Sequence, residues 1–184
     1  MNDYLFRIKR NIPFLIRGVF FQLFMFFRKN VHVGYRLRVD SGAKLIMHPK
    51  AYVTIKDYNF IGKGSFISVL PKGKLVLGKG VGNNNQIVCH HKIEIGDGTI
   101  LGPNVMIFDH NHQFDFKTGV KHKSFDVGEI VIGKNCWLGA GCTILKDVHI
   151  ADNVVIGAGS VVTKDIPSGT IVAGVPAKII KLKA

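Results

Sequence analysis

The sequence predicts an all-β protein built as a parallel β-helix, a stack of three-sided coils. The first observation is a period of six residues: from Ile132 to Val162 an aliphatic residue returns at every sixth position. Neither a helical period nor simple strand alternation produces that spacing, whereas the hexapeptide repeat of a β-helix does. The second observation is that the period can be followed back to Val33. One coil cannot bury its aliphatic face alone, so the coils must stack.

Six coils are predicted, and each contributes three inward-facing residues. The predicted inward set is Val33, Val39 and Leu45; Ile55, Ile61 and Ile67; Leu77, Asn83 and Cys89; Ile95, Leu101 and Ile107; Ile132, Leu138 and Ile144; and Ile150, Ile156 and Val162. Sixteen of these eighteen residues are valine, leucine or isoleucine, in a chain whose overall hydrophobic content is 47%. We therefore expect one continuous core along the whole stack.

Residues 1–30 differ from the rest and are predicted to form an apolar, basic helix. The segment 12–27 reads IPFLIRGVFFQLFMFF. It is too short, and too interrupted by Arg17 and Gln22, for a membrane span, and it lacks the cleavage site of a secretory signal. Two interpretations remain open. The helix packs on protein, either on this chain or on a neighbouring subunit, or it lies in the membrane interface near anionic headgroups.

Charge and cysteine content narrow the class of partner and the compartment. The 184 residues, enough for one domain with an appendage, carry 25 Lys and Arg against 12 Asp and Glu, a net charge of +13. This balance suggests an anionic partner, but no nucleic-acid-binding motif is present.

Cys89, Cys136 and Cys142 form no C-x-x-C pair and are expected to be core residues in a reducing compartment. The predicted localisation is cytoplasmic. If residues 1–30 contact lipid, the protein would also associate with the inner face of the membrane.

A long interruption of the repeat is predicted to leave the stack as a loop at about 108–129. Ile107 and Ile132 are 25 residues apart where the repeat requires six. The intervening segment contains three of the eight histidines, His110, His112 and His122, and long loops in compact folds are often functional. We therefore expect a functional loop within a β-helix domain spanning 31–166. Residues 167–184 are predicted to be a basic C-terminal tail.

Four segments carry a resemblance to a known family: IGDGTILGPNVMIFDHNH, IGKNCWLGAG, IGAGSVVTKDIPSG and AGVPAKII. They resemble the hexapeptide-repeat acyltransferases, and most closely the sugar O-acetyltransferases of the maltose, galactoside and Nod-factor type and the related capsule and O-antigen enzymes. The resemblance covers about residues 75–184. It implies a left-handed parallel β-helix of about six three-hexad coils and a homotrimer. The general rule for parallel crossovers would instead predict the right hand.

The function that this resemblance implies is acetyl-CoA-dependent O-acetylation of a sugar or a surface-polysaccharide precursor by direct transfer. The base would be a histidine of the extended loop, which is His112 by alignment, with His110 as its competitor. A neutral imidazole suits this step because a sugar hydroxyl is barely acidic and the imidazole pKa lies near neutrality. The mechanism requires no metal, and the motifs leave open an acyl donor larger than acetyl.

The resemblance also implies where the cosubstrate and the acceptor bind. Acetyl-CoA would lie in the groove between subunits. Its predicted contacts are Trp137, Ala140, Ala158, Thr163, Lys164 and Lys178. The small alanines would allow close approach of the pantetheine arm, and the lysines would pair with phosphates. The predicted acceptor contacts are Asn84, with Asn85 beside it in the same asparagine run, and Asp115 in the loop.

Two other functions fit parts of the sequence. A γ-type carbonic anhydrase uses the same fold and binds zinc through histidines, a role that His90, His91, His110 and His112 could imitate. However, the H-x-x-x-x-H spacing of that family is absent, and the AGVPAK segment favours the transferase. A non-catalytic, membrane-attached solenoid scaffold is the other alternative, since fold alone does not establish activity. It predicts no affinity for coenzyme A and no special role for the loop.

Overall fold

A computed structural model describes residues 3–182 as one helix followed by a stack of short strands. The helix, α1, spans Asp3–Phe26. The strands are β1 Val31–Val33, β2 Arg38–Val39, β3 Lys44–Met47, β4 Tyr52–Ile55, β5 Phe60–Ile61, β6 Phe66–Val69, β7 Lys74–Leu77, β8 Gly82–Asn83, β9 Gln86–Cys89, β10 Lys92–Ile95, β11 Ile100–Leu101, β12 Met106–Phe108, β13 His110–Asp115, β14 Gly119–Val127, β15 Glu129–Ile132, β16 Trp137–Leu138, β17 Thr143–Ile144, β18 Val148–Ile150, β19 Val155–Ile156, β20 Val161–Val162, β21 Thr170–Ala173 and β22 Lys178–Leu182.

Parallel strands form three faces, which the chain visits in turn. Face 1 has the strand order β1-β4-β7-β10-β15-β18. Face 2 consists of β2-β5-β8 followed by β11-β16-β19-β21-β22, and face 3 has the order β3-β6-β9-β12-β17-β20. We name the turns between them by the faces that they join, so that corner 2–3 leads from face 2 to face 3. Each corner lies above the equivalent corner of the preceding coil.

The inward register follows the predicted six-residue period. On face 1 the paired column is Val33, Ile55, Leu77, Ile95, Ile132 and Ile150. The third coil departs from the prediction on face 3, because Ile87, not Cys89, pairs with Ile67 and Ile107. The corner before β9 is short: Ile87 follows Asn83 by four residues instead of six. Cys89 still points inward and is buried, two residues further along the same strand.

The stack continues beyond residue 166, where the β-helix was expected to end. Ile166 bridges to Ile150, and β21 pairs with β19, so that Val172 extends the buried column of face 2. The last strand, β22, folds back antiparallel on β21. The segment predicted as a tail therefore contains two strands, and β22 covers an edge of β21 that would otherwise be unpaired.

The three cysteines are unpaired and buried in this core. Burial raises the pKa of Cys142 to about 11, and burial also raises the pKa values of Cys89 and Cys136. All three thiols are therefore protonated at neutral pH and pack as small apolar side chains.

Helix α1 packs across the first coils with one face only. Gly18 lies so close to the backbone carbonyl of Leu37 that a Cβ atom would overlap the oxygen. Met25 is buried, and the rings of Phe14 and Phe60 have centroids 5.6 Å apart. One face of the helix thus packs on its own chain. Within residues 3–182, no helix combines the length and the apolar character needed to cross a membrane.

The excursion after Ile107 is an ordered antiparallel hairpin. Strands β13 and β14 pair from His110 opposite Val127 to Asp115 opposite Gly119, and the register shifts after His112. The hairpin leaves the stack between β12 on face 3 and β15 on face 1, which is corner 3–1. It therefore places its side chains beside one edge of the prism.

Replacing an inward residue should cost far more stability than replacing its outward neighbour. Ile132 is 1% exposed between Ile95 and Ile150, so we expect Ile132→Ala to lower the free energy of unfolding by about 2–5 kcal/mol. The matched control Val131→Ala, on the outward side of the same strand, should cost about 0.5 kcal/mol. Urea unfolding followed by circular dichroism measures both, and equal losses would contradict the assigned register.

Candidate active site

A buried carboxylate fastens the base of the hairpin to the preceding coil. The side chain of Asp109 is fully buried. It accepts hydrogen bonds from the backbone N–H groups of His90 at 2.8 Å, His91 at 2.7 Å and Lys92 at 2.9 Å. Burying a carboxylate without donors would be costly, and these three amides supply them. The hairpin therefore leaves the stack from a fixed point.

Two histidines stack beside this carboxylate. The rings of His90 and His110 have centroids 3.7 Å apart and planes tilted by 21°. His110 Nδ1 lies 3.4 Å from Asp109 Oδ1, and the His110 side chain is 15% exposed. A carboxylate at Nδ1 favours the tautomer that carries its proton there, which leaves Nε2 as the acceptor. His110 is thus an oriented imidazole.

Phe125 connects this pair to the second loop histidine. Its ring centroid lies 4.4 Å from that of His90 and 4.6 Å from that of His112. His112 is paired with Phe125 across the hairpin and is exposed to solvent. The structure therefore brings both predicted catalytic histidines into one cluster with His90, whereas His122 lies further along β14.

The surroundings lower the pKa of His90 below its ordinary value of 6.5. Burial is the largest cause, and the neighbouring imidazole of His110 adds to it, while the carboxylate of Asp109 acts in the opposite direction. Because the protonated form is disfavoured, His90 is neutral at pH 7. Its ring can then stack on His110 without repulsion between two cations.

The predicted acceptor asparagines lie on corner 2–3. Asn84 Nδ2 donates to Asn104 Oδ1 at 3.2 Å, and these side chains lie at the surface of that corner. Asn85, in contrast, is buried, and its amide donates to the carbonyl of Gly82 and accepts from the N–H of Val105. Asn84 is therefore available to a ligand, whereas the side chain of Asn85 is used to hold the corner.

Asp115 stands near the tip of the hairpin. Its carboxylate accepts hydrogen bonds from the backbone N–H groups of Lys117 and Thr118, both at 2.9 Å. Bonding to these donors lowers the pKa of Asp115. The observed contacts are those of a turn cap.

The predicted coenzyme contacts are distributed over two corners and one face, and all six residues have exposed surface. Ala140 and Ala158 lie on corner 2–3, Thr163 and Lys164 on corner 3–1, and Trp137 and Lys178 on face 2 in β16 and β22. Corner 3–1 is the corner from which the hairpin leaves. Corner 2–3 carries Asn84. The two corners border opposite edges of face 3.

Comparison with known proteins agrees with this architecture. Residues 129–164 match the model of the bacterial transferase hexapeptide family. A solved structure of a maltose O-acetyltransferase from Clostridium difficile 630 has a TM-score of 0.52 and 31% sequence identity, covering 85% of this chain and 68% of that one. The chain belongs to the hexapeptide-repeat transferase family. The predicted fold class, a left-handed parallel β-helix of about six coils, is confirmed.

Two curated relatives of this hexapeptide-repeat protein come from Escherichia coli K12. One is WbbJ, named provisionally as a lipopolysaccharide biosynthesis O-acetyl transferase, with 34% identity over 130 residues, 65% of this chain and 66% of the relative. The other is galactoside O-acetyltransferase, with 41% identity over 103 residues, 53% of this chain and 48% of the relative. The chain thus spans less than two thirds of the length of either.

The histidine cluster of this family member does not have the geometry of a zinc site. Ligands of one zinc ion direct their nitrogens at a common centre, whereas His90 and His110 stack ring on ring. Among residues 3–182, no group of three or more histidine, cysteine or acidic side chains is arranged to hold a metal ion.

Phe125 and Asn104 belong to the candidate site but were not predicted from the sequence. Phe125 lies in a hairpin whose pairing contains a register shift, so its position opposite His112 could not be counted from the sequence. Asn104 lies one coil after Asn84, and their contact depends on the shortened corner before β9. The length of that corner is the signal that would have predicted both the contact of Asn84 with Asn104 and the inward position of Ile87.

The lowered pKa of His90 predicts a specific loss of stability in acid. The unfolded chain takes up a proton at the ordinary pKa of 6.5, while the folded chain does so only at lower pH. Stability should therefore fall as the pH drops through this window. His90→Phe keeps a flat ring and should reduce that fall, measured as the urea midpoint at about pH 8 and about pH 5.5. The exposed hairpin residue His122, changed to Phe, is the control; an equal effect from both changes would contradict the assignment.

Proposed function

We propose that this protein is an acetyl-CoA-dependent O-acetyltransferase that acts on a hydroxyl of a sugar or a surface-polysaccharide precursor. The observation that carries the proposal is the histidine cluster at the base of the hairpin, held by Asp109 on a hexapeptide-repeat β-helix. The names of the relatives support this class of acceptor. The proposed catalytic unit is the β-helix that begins at residue 31, with the loop 108–129 and with the coil that continues beyond residue 166.

His112 is proposed as the general base and His110 as the residue that positions it. His112 is exposed and can reach a ligand, whereas His110 is largely enclosed by His90, Phe125 and Asp109. The His112 ring packs on Phe125, which also contacts His90 and His110. A supported imidazole loses less freedom when it engages the acceptor, and such preorganisation favours reaction.

In the proposed reaction, the sugar oxygen attacks the thioester carbonyl carbon while His112 takes the hydroxyl proton. The resulting oxyanion would be stabilised by backbone N–H donors. It then collapses, the carbon–sulfur bond breaks, and the imidazolium returns the proton to the coenzyme A thiolate. An acetyl-cysteine intermediate is not part of the proposal, because Cys89, Cys136 and Cys142 are buried and protonated.

A site shared between copies is proposed because the candidate residues lie on different corners. Asn84 and the histidine cluster are separated by β9, whose four residues extend about 13 Å. An acceptor hydroxyl that contacts both would require corner 2–3 of one copy to face corner 3–1 of another. A closed homotrimer repeats that heterologous contact three times. Acetyl-CoA would lie in the same groove, between Ala140 and Ala158 on one side and Thr163 and Lys164 on the other, with Trp137 and Lys178 nearby.

The cytoplasm is proposed as the compartment, since acetyl-CoA is the donor, and α1 is proposed to contact the inner face of the membrane. Support comes from the apolar residues that α1 leaves exposed and from the net charge of +13. A surface-polysaccharide precursor attached to a lipid would be reached most directly from that position.

Removing the base should abolish turnover without disturbing binding. We expect His112→Ala to lower kcat by about 10² to 10⁴ and His110→Ala to lower it by less than about 10², each with an unchanged Kd for coenzyme A. Release of coenzyme A from acetyl-CoA in the presence of a panel of glycosides measures turnover, and calorimetry measures Kd.

His122→Ala is the control, since that histidine is exposed on the same hairpin away from the cluster, and it should keep full activity. A fully active His112→Ala, or an acetylated enzyme detected by mass spectrometry, would refute the proposed base mechanism. A larger loss from His110→Ala than from His112→Ala would exchange their roles.

Mixing two inactive variants tests whether the site is shared. If His112 and Asn84 come from different copies, refolding an equal mixture of His112→Ala and Asn84→Ala chains rebuilds intact sites. Random assembly would place both intact residues at about one quarter of the sites, so about one quarter of the wild-type activity should return. No recovery from mixed assemblies that are trimeric by light scattering would show that each site lies within a single chain.

A further inference from the structure

Helix α1 exposes a continuous apolar face on the side turned away from the stack. Its members are Ile12, Ile16, Val19, Phe20, Leu23, Phe24 and Phe26, together with Phe27 directly after the helix, and they are between 44% and 87% exposed. At about 100° per residue they cover one side of the helix, opposite Gly18 and Met25, which contact the first coil. An apolar face of this size on a soluble domain usually marks a contact surface.

A basic cavity lies beside this face, between α1 and the first two coils. Its volume is about 300 Å³, and it is lined by Asn11, Leu15, Arg36, Arg38 and Tyr58. The guanidinium carbon of Arg36 lies 5.9 Å from the ring centroid of Tyr58. Among the described side chains, neither arginine is paired with a carboxylate. Arg38 Nη1 donates to Asn11 Oδ1 at 3.5 Å, a neutral partner that leaves the charge of Arg38 unbalanced.

The backbone at corner 1–2 makes Arg36 and Tyr58 unusual. One residue of this corner has a positive φ, between 54° and 80°, in seven successive turns: Arg36, Tyr58, Gly80, Gly98, Asn135, Asn153 and Gly169. Glycine and asparagine adopt this conformation at little cost, whereas other residues do not. In this series, only the first two turns have a large side chain at the positive-φ position. Such an exception indicates a function that outweighs the local strain.

We propose that this cavity binds the phosphate of an anionic phospholipid headgroup while the apolar face of α1 enters the adjacent acyl region. Arg36 and Arg38 would supply the cations, and Tyr58 would hold the Arg36 guanidinium in place. The proposal deepens the proposed membrane contact and is independent of acetyl transfer. It orients the N-terminal end of the stack toward the bilayer.

Charge favours a lipid surface over a second copy of the chain. The apolar face is flanked by Arg17 on one side and by the two cavity arginines on the other. Asp57, the acidic residue next to Tyr58, already accepts a hydrogen bond from the backbone N–H of Tyr35 at 2.7 Å. Two copies meeting through this face would bring like charges together, whereas an anionic bilayer complements them.

Sedimentation of the full chain with lipid vesicles tests the proposal. The protein should pellet with vesicles containing phosphatidylglycerol and remain in solution with pure phosphatidylcholine. Phe24→Ser with Phe27→Ser should weaken partitioning by at least about tenfold. Arg36→Asn with Arg38→Asn should also weaken it about tenfold. Lys134→Asn, on the same corner in the fifth coil, is the charge control and should change partitioning less than about twofold. Inorganic phosphate at matched ionic strength should not release the bound protein.

Thermal stability separates a binding role from a structural one. Arg36→Asn should leave Tm unchanged or higher, because asparagine adopts the corner conformation more readily, and should still weaken vesicle binding. No pelleting of the wild type, equal effects of Lys134→Asn and Arg36→Asn, or release by free phosphate would refute the proposal. A smaller assembly after the phenylalanine changes, with vesicle binding intact, would assign the face to a copy of the chain. Acetyl transfer to soluble glycosides should persist in every variant. Absence of acetyl transfer by the wild type would refute only the proposed function and not the lipid contact.

Discussion

Burial of one aliphatic side chain per hexad is the interaction on which the rest of the structure depends. Ile95, Ile132 and Ile150 are almost completely buried in successive coils of face 1. Because side chains alternate along a strand, a slip of one residue would turn each of them outward. The column therefore determines the register of every coil. It also stacks the corners, so residues far apart in sequence line up along the edges of the prism.

The hairpin depends on this regularity at the one corner where it is interrupted. Asp109 is the first residue after β12, and the corner of the preceding coil presents three amide donors to its carboxylate. A chain inserted between two fixed strands would otherwise be free to move. The buried carboxylate removes that freedom at the base, which lets His110 stack on His90 of a neighbouring coil. The chemistry of the site thus follows from a hydrogen-bonded corner and not from the loop alone.

The exposed edges at the two ends of the stack are covered in different ways. At the C-terminal end, β22 folds back on β21 and pairs with it. At the N-terminal end, α1 covers the first coil through Gly18 and Met25 and reaches the second coil through Phe14. A helix that served only as a cover would need one apolar face. Helix α1 has a second apolar face, which is exposed, and Arg36 and Tyr58 at corner 1–2 lie beside that face.

Much of the architecture could be predicted from the sequence, because the six-residue period is a local property that each hexad repeats. The inward column of face 1 and the position of the excursion follow from counting, whereas His110 and His112 were selected by the resemblance to the acyltransferases. The error at Cys89 arose because one corner lost two residues, and no local pattern distinguishes a short corner from a shifted strand. The end of the fold at residue 166 was misjudged for a similar reason, since Val172 belongs to a coil that lacks regular hexads.

The sequence by itself determined the fold class, the family and the candidates His110, His112 and Asn84. Only the tertiary structure decided how those candidates differ: His110 is held beside Asp109, His112 is exposed on Phe125, and Asn85 is used by its corner. These distinctions depend on contacts between coils and across the hairpin. A sequence records which residues are present, but the partners of a side chain are set by register and by the lengths of corners, which appear only when the chain is folded.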